Sequence, residues 1–491
     1  MMTPETYDLV IRGGTVVTAD AVSRCDLAIL DGRVAALGLG LPPGREEIDA
    51  TDRLLLPGGV DTHAHVEQPS DPPLVNADSF ESASASALVG GTTSLVCFAR
   101  QPRGGSLRRA VDDYAPRVAR SRIDVALHLM ITDPRPEVME EELPALVAEG
   151  HRSVKIFLTY DGPRVSDGQA LRVLAAARRL GALVCVHAEH HELIEFHKQA
   201  LLEAGLTAPK YHAWAKPILV ERECIHRVAS MAEALDVPVQ IFHVSGAESA
   251  EEVERFQRRG LKLWAETCPQ YLVLTAEDLD RPGMEGAKFL CSPAPRSRAD
   301  QEALWAAIRR GVIANVSSDH APNRFEGPDG KLAHGRDAPF TRIANGVPGL
   351  AARLPILFSE GVSQGRIGLR EFAALSAANP ARLFGLARKG SLAVGADADI
   401  AIWNPDRRVT LTNALMQHGC DYTPYEGMEV RGWPETTLLR GRLACVDGTV
   451  LAPPGAGALL RRDAYPFIAP RGVFPGPFDP VAARPVPGAD A

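Results

Sequence analysis

Across residues 57–390 the chain repeats one pattern: a short continuous apolar run, a polar residue at or just past its end, then a helical stretch. Runs of this kind suit parallel strands buried on both faces, and the helices between them supply the crossovers that parallel strands require. Eight strands are predicted, over 60–65, 93–98, 125–131, 154–160, 183–187, 239–243, 263–267 and 313–319. Eight in series favour closure into a (β/α)8 TIM-like barrel over an open sheet, and such a barrel absorbs about 250 residues. A chain of 491 residues therefore has room for a second module.

That module has a different texture. Residues 7–56 alternate short apolar runs with turn signals at Gly13-Gly14, Asp31-Gly32 and Pro42-Pro43-Gly44, which predicts a small antiparallel β unit. Similar β-rich stretches return at 399–403 and 437–448, so two flanks enclose the barrel. Lys+Arg 53 against Asp+Glu 61 leaves a formal charge of −8, which argues against a nucleic-acid binder held by bulk positive charge. No apolar window approaches the ~18 residues of a membrane span. The first twenty residues lack a basic segment followed by an apolar one, so a soluble, unexported chain is expected. The eight cysteines are scattered with no CxxC pair, as for reduced core thiols in the cytoplasm.

The polar residues at the strand ends carry the chemistry, because active sites of such barrels sit at the C-terminal face. In His63-Ala64-His65 the two imidazoles are two residues apart on a strand and point the same way, so both can reach one metal. His187 and His243 each close a later apolar run; either alone reads equally as a satisfied core histidine. Asp319 ends the eighth run, where a helix N-cap is the plain alternative. Together they offer four imidazoles and a carboxylate, a ligand set that zinc accepts. Lys155 lies inside an apolar strand, where burial lowers an ammonium's pKa. A surface lysine or a salt bridge is the ordinary alternative; beside metal ligands, the amine can instead take up CO2 as a carbamate bridging two cations.

Five segments, Pro57-Gly58-Gly59-Val60-Asp61-Thr62-His63-Ala64-His65, Val154-Lys155-Ile156-Phe157-Leu158-Thr159-Tyr160, Val186-His187-Ala188-Glu189, Phe242-His243-Val244-Ser245 and Ser318-Asp319-His320-Ala321-Pro322, resemble the cyclic amidohydrolases. They are most similar to the dihydropyrimidinase and D-hydantoinase group, with further matches at 266–272, 345–349, 390–399 and 421–427. The resemblance implies that residues 1–57 and 390–455 join into one β-sandwich beside a barrel over 58–389, with a Pro-rich tail over 456–491 packed between the subunits of a homotetramer. An isolated disordered tail is the alternative.

By that resemblance His63, His65 and Asp319 would hold one zinc and His187 and His243 another, with carboxylated Lys155 between them. Water activated there would attack a cyclic amide carbonyl, giving N-carbamoyl amino acids from hydantoins or dihydropyrimidines. Asp319 would move the proton to the leaving nitrogen, and Tyr160 would donate a hydrogen bond to the developing oxyanion. Ser292 and Asn345 match positions whose backbone groups hold the substrate's amide edge, although both also suit ordinary turns.

Other readings are an imidase or allantoinase acting on a related ring, and a non-catalytic scaffold relative. Val66-Glu67-Gln68-Pro69 lacks the arginine with which dihydroorotases receive a carboxylate, and the acidic Glu67 there would repel such a substrate; Tyr160 favours hydantoinase-like over allantoinase-like chemistry. Cys97 stands where the group often has aspartate. The 68–75 segment is rich in proline with Asp71 among them, and Arg100 adds a charge that either favours acidic substituents or is simply solvated. His190, His191 and His320 fit no strand-end position and are left outside the site.

Overall fold

The structure, a computed structural model, describes residues 6–70 and 72–486. Asp71, the first five residues and residues 487–491 lie outside them.

Eight parallel strands form one sheet in unbroken sequence order: β1 (Gly59–Ala64), β2 (Thr92–Arg100), β3 (Asp124–Met130), β4 (Ser153–Phe157), β5 (Leu183–His187), β6 (Val239–Ile241), β7 (Leu263–Thr267) and β8 (Ile313–Val316). Almost every residue in them is buried, which is why the strands read as continuous rather than alternating apolar runs. The helices between them are stopped and started by local chemistry. In Asp167–Leu180 the Ser166 side chain accepts from the Gln169 amide, and Gly181 ends the helix at φ 68°. Its buried stripe of Ala170, Val173, Leu174 and Ala177 faces the sheet.

Side chains close the seam between β1 and β8. The buried Arg353 guanidinium donates to Val60 O at 3.2 Å and Val316 O at 2.9 Å, one carbonyl from each edge strand. Asp61 lies 3.5 Å from Arg353 Nε and accepts from the Ser318 amide at 3.1 Å. The His65 amide donates to His320 O at 2.7 Å, extending the closure above the strands. A buried guanidinium needs this much pairing, and the seam supplies it.

The flanks join as the sequence resemblance implied. Leu54–Pro57 pairs antiparallel with Ile400–Thr410 in a seven-stranded sheet, and a four-stranded sheet from the N-terminal flank faces it. Leu9, Ile29 and Leu55 share a core with Leu392, Ile400 and Leu438. The antiparallel expectation for residues 7–56 is corrected in two places. Tyr7–Arg12 runs parallel to Gly44–Asp49, and Thr15–Val17 runs parallel to Leu54–Pro57. Gly13-Gly14 is no hairpin turn; the strands before and after it lie in different sheets, whereas Asp31-Gly32 does turn a hairpin at φ 50° and 73°.

Through residue 486 the tail lies on its own barrel. The Val125 amide donates to Ala458 O at 2.9 Å, Leu460 donates back to Val125 O at 2.7 Å, and Arg178 grips Asp479 at 2.6 and 3.0 Å. These contacts cap the N-terminal end of the strands and leave the C-terminal end open.

Candidate metal centre and active site

Three strands stop two or three residues short of their expected ends. β4 stops at Phe157, β6 at Ile241 and β8 at Val316, so Tyr160, His243 and Asp319 lie two or three residues further on. All three have left-handed backbone, at φ 69°, 44° and 47°. Such a conformation costs a non-glycine residue about 1–3 kcal/mol and persists where the surroundings over-determine it. Its effect here is to turn each side chain off the strand line and over the barrel mouth.

His63, His65 and Asp319 form one cluster. Asp319 Oδ1 lies 3.1 Å from His63 Nε2 and 3.4 Å from His65 Nε2. The far nitrogens are already engaged: His63 Nδ1 with Glu266 Oε1 at 2.7 Å, and His65 Nδ1 with Gln68 Oε1 at 2.7 Å. His187 and His243 form a second cluster, Nδ1 to Nε2 at 2.8 Å, with His187 Nε2 held by Glu189 Oε2 at 2.7 Å. The His63 and His243 rings are 5.4 Å apart, so the two clusters adjoin. Each engaged nitrogen sets a tautomer and leaves the other directed inward, as orienting carboxylates and amides do around metal-binding imidazoles. Burial pushes His187 down to about 4, so it is neutral and able to ligate near pH 7.

Lys155 supplies the test of whether a metal centre fits. It is fully buried on β4, its Nζ has no hydrogen-bond partner, and it stands 4.0 Å from the Phe242 ring centre and 4.7 Å from that of Phe157. Burial pushes its ammonium from 10.5 to about 8, leaving a fraction of free amine at neutral pH. An orphaned buried amine beside two sets of inward-facing imidazoles fits a binuclear centre and has no purpose in a plain apolar core. Asp78, His418 and Cys420 also lie within reach of one another. There, however, the Asp78 oxygens are taken by Ser82, Gly419 and His320, which makes that cluster a hydrogen-bonded knot.

Above the two histidine clusters lies a cavity of about 700 Å³ walled by Tyr160, Ser292 and Asn345. Ser292 Oγ is 2.9 Å from Asn345 Oδ1. Burial raises the Tyr160 hydroxyl well above its usual 10, so it remains a donor through the physiological range. A groove of about 1140 Å³ runs past Lys262 and Trp264 at the opposite end of the barrel, but it holds no comparable set of ligands.

Residues 54–444 match the amidohydrolase family. The chain belongs to that family. It is 41% identical to a D-hydantoinase of Rhizobium radiobacter over 461 residues, 93% of this chain and 99% of the relative. A solved D-hydantoinase structure, also 41% identical, superposes with a TM-score of 0.90 over 93% of this chain and 99% of its own. The dihydropyrimidinase of Brevibacillus agri NCHU1002, 36% identical, does so with the same TM-score and coverage.

In this amidohydrolase, carboxylates stand behind the histidines in places for which no role was expected from the sequence. Glu266 and Glu189 each hold a histidine, and both stand in segments already quoted as matches; a carboxylate at or just past a strand end was the available signal. Burial pushes Glu266 up to about 8, with the Ser317 hydroxyl and the Lys155 charge pulling the other way. Burial opposes the Glu189 carboxylate too, but Lys216 at 2.8 Å and His187 outweigh it and hold its pKa below the usual range. Lys216, buried just past a short helix, had no local signal at all.

One earlier inference changes. Glu67 turns away from the cavity, accepting from Arg120 at 2.6 Å and the Phe80 amide at 2.9 Å, so it repels no substrate. Arg100 lines the cavity but donates to Pro69 O at 2.7 Å, tying the proline-rich loop in place. His190 caps a helix and His191 lies beside exposed Asp161. His320 pairs with Asp78 at 3.0 Å while its carbonyl receives His65.

Proposed function

We propose that this amidohydrolase opens hydantoins or dihydropyrimidines by hydrolysing the cyclic amide bond, giving N-carbamoyl amino acids. The reading is carried by the two histidine clusters converging beside Lys155 beneath the Tyr160, Ser292 and Asn345 wall. Kinship with proteins named D-hydantoinase and dihydropyrimidinase supports the ring class. His63, His65 and Asp319 would hold one divalent ion, His187 and His243 a second, and Lys155, carboxylated by CO2, would join them. Zinc suits this mixed nitrogen and oxygen set. When bound, the ions supply Lewis-acid activation of water and of the amide carbonyl.

The chain's own groups do the rest. Asp319 takes the proton released as water forms the new C–O bond and delivers it to the ring nitrogen as the C–N bond breaks. The Tyr160 hydroxyl donates to the carbonyl oxygen as negative charge develops there. Backbone groups of Ser292 and Asn345 align the ring's amide edge, while Glu266 and Glu189 keep the imidazoles oriented. Residues 58–389 are assigned the catalysis and the flanks 1–57 and 390–455 a supporting sandwich.

A cytoplasmic location is supported by eight unpaired cysteines. A homotetramer is supported by family kinship and by Phe196 and Trp214, 70% and 62% exposed on neighbouring helices. The test is dihydrouracil and hydantoin opening by protein prepared with zinc and bicarbonate, metal content being measured on the same sample. Metal-dependent opening is expected. Two ions bound per chain with neither ring opened would overturn the substrate class.

A further inference from the structure

The long segment after β8 contains a buried cation to which the chemistry above assigns no role. Lys331 is 1% exposed, and its Nζ donates to Leu290 O at 3.1 Å and Ala344 O at 2.8 Å. No carboxylate pairs with it among the described residues; the titratable groups that act on its charge are the Cys291 and Cys420 thiols. An apolar side chain would fill the same space without the cost of desolvating an ammonium, so its retention points to what it holds.

What it holds are the two segments forming the substrate wall. Leu290 lies two residues before Ser292, and Ala344 one residue before Asn345. The Gly346 amide adds a 3.0 Å hydrogen bond to Leu290 O, and Ser292 Oγ meets Asn345 Oδ1 at 2.9 Å. Gly346 sits at φ 110° with the Ala321 Cβ 2.4 Å from where its own Cβ would lie, so this approach admits no side chain. Lys331 does not itself reach the cavity.

We propose that Lys331 is a positioning residue for substrate: by clamping the carbonyls of Leu290 and Ala344 it sets the spacing of the Ser292 and Asn345 backbone groups that hold the ring's amide edge. The inference rests on the functional reading above for the identity of the ring, but the clamp can be read without it. Burial, which pushes the Lys331 ammonium down to about 7, does not undo it, because a neutral amine still has two N–H donors for the two carbonyls.

The experiment compares the metal-loaded wild-type protein with Lys331→Met and Lys331→Arg by hydrogen exchange and steady-state kinetics. For Lys331→Met we expect faster exchange in 290–293 and 344–347 together and a KM raised roughly tenfold, as loss of two modest hydrogen bonds implies. Its kcat and metal content should stay within about threefold, and Lys331→Arg, which keeps the donors, should recover part of both effects. Unchanged exchange in the two segments overturns the clamp. Faster exchange with an unaltered KM, or a fall in kcat and metal content instead, overturns its role in substrate binding. If the wild type opens neither ring, the functional reading fails while the exchange data still decide the clamp. A Lys331→Met chain that does not fold is replaced by Lys331→Gln, read in the same way.

Discussion

Lys389 and Lys155, at opposite ends of the barrel, are buried in opposite ways. At the N-terminal end Lys389 is surrounded by Asp124, Asp397 at 2.9 Å and Asp399 at 2.8 Å. Burial opposes its charge, but these carboxylates outweigh it and hold the ammonium above its usual 10.5. Arg462, equally buried, donates to Leu127 O at 2.8 Å and Ser153 Oγ at 3.0 Å. At the C-terminal end Lys155 meets aromatic rings and no partner, and its pKa falls to about 8. The charge-matched Lys389 and the Arg462 guanidinium, satisfied by neutral acceptors, tie the flanks and tail to the barrel. The unmatched amine, with three strained residues around it, keeps its reactivity for chemistry.

Lys155→Ala breaks the contrast most severely: most bound metal and nearly all ring opening should disappear, by metal analysis and assay of one preparation. A variant that keeps both in full would refute the carbamate bridge. Lys389→Met attacks the other end, leaving buried Asp399 without a cation and Asp124 and Asp397 with only Arg440 and Arg388, at a cost of about 3 kcal/mol. Its denaturant midpoint should drop while kcat of the folded fraction holds; reduced kcat at unchanged stability would mean the ends are not separate in role.

Tyr160→Phe should lower kcat by ~10²–10³ with metal content intact, the size expected for one oxyanion donor. An unaltered kcat removes the hydroxyl from the mechanism. Glu189→Gln is smaller, weakening metal affinity by about 10–100-fold through a loosened His187. Equal affinity in wild type and variant would show that Lys216 and Glu189 serve packing alone.

The smallest effect concerns pH. Lys331 has a pKa of about 7 in the fold against its ordinary 10.5. Between those values the unfolded chain binds more protons, so this residue makes stability rise with pH and stops contributing to the slope below about 7. Urea unfolding at pH 7 and pH 9.5 should show a shallower rise in Lys331→Met; identical slopes would contradict the burial argument.

Much of this contrast was legible in the chain. The eight strands, their order and the six residues converging at the barrel mouth follow from local apolar runs and the polar residues that end them. The strand ends were overextended at Tyr160, His243 and Asp319, because an apolar run does not register a left-handed turn two residues beyond it. The parallel pairings in the N-terminal flank were missed for a related reason: Gly13-Gly14 signals a turn but not the sheet to which the next strand goes.

Sequence alone determined the types of candidate metal-holding groups, since imidazole, carboxylate and amine chemistry belongs to the residue, and it determined the barrel's strands, since a strand's periodicity is local; Arg353, 293 positions from Val60, closes the seam between the first and last of them. Only the tertiary structure decided which buried charges are compensated. Glu266 reaches His63 across 203 positions, Asp124 reaches Lys389 across 265, and Glu67 is drawn from the cavity by Arg120, 53 residues away. The field at a side chain comes from whatever folding brings within a few ångströms, and no window of sequence contains it.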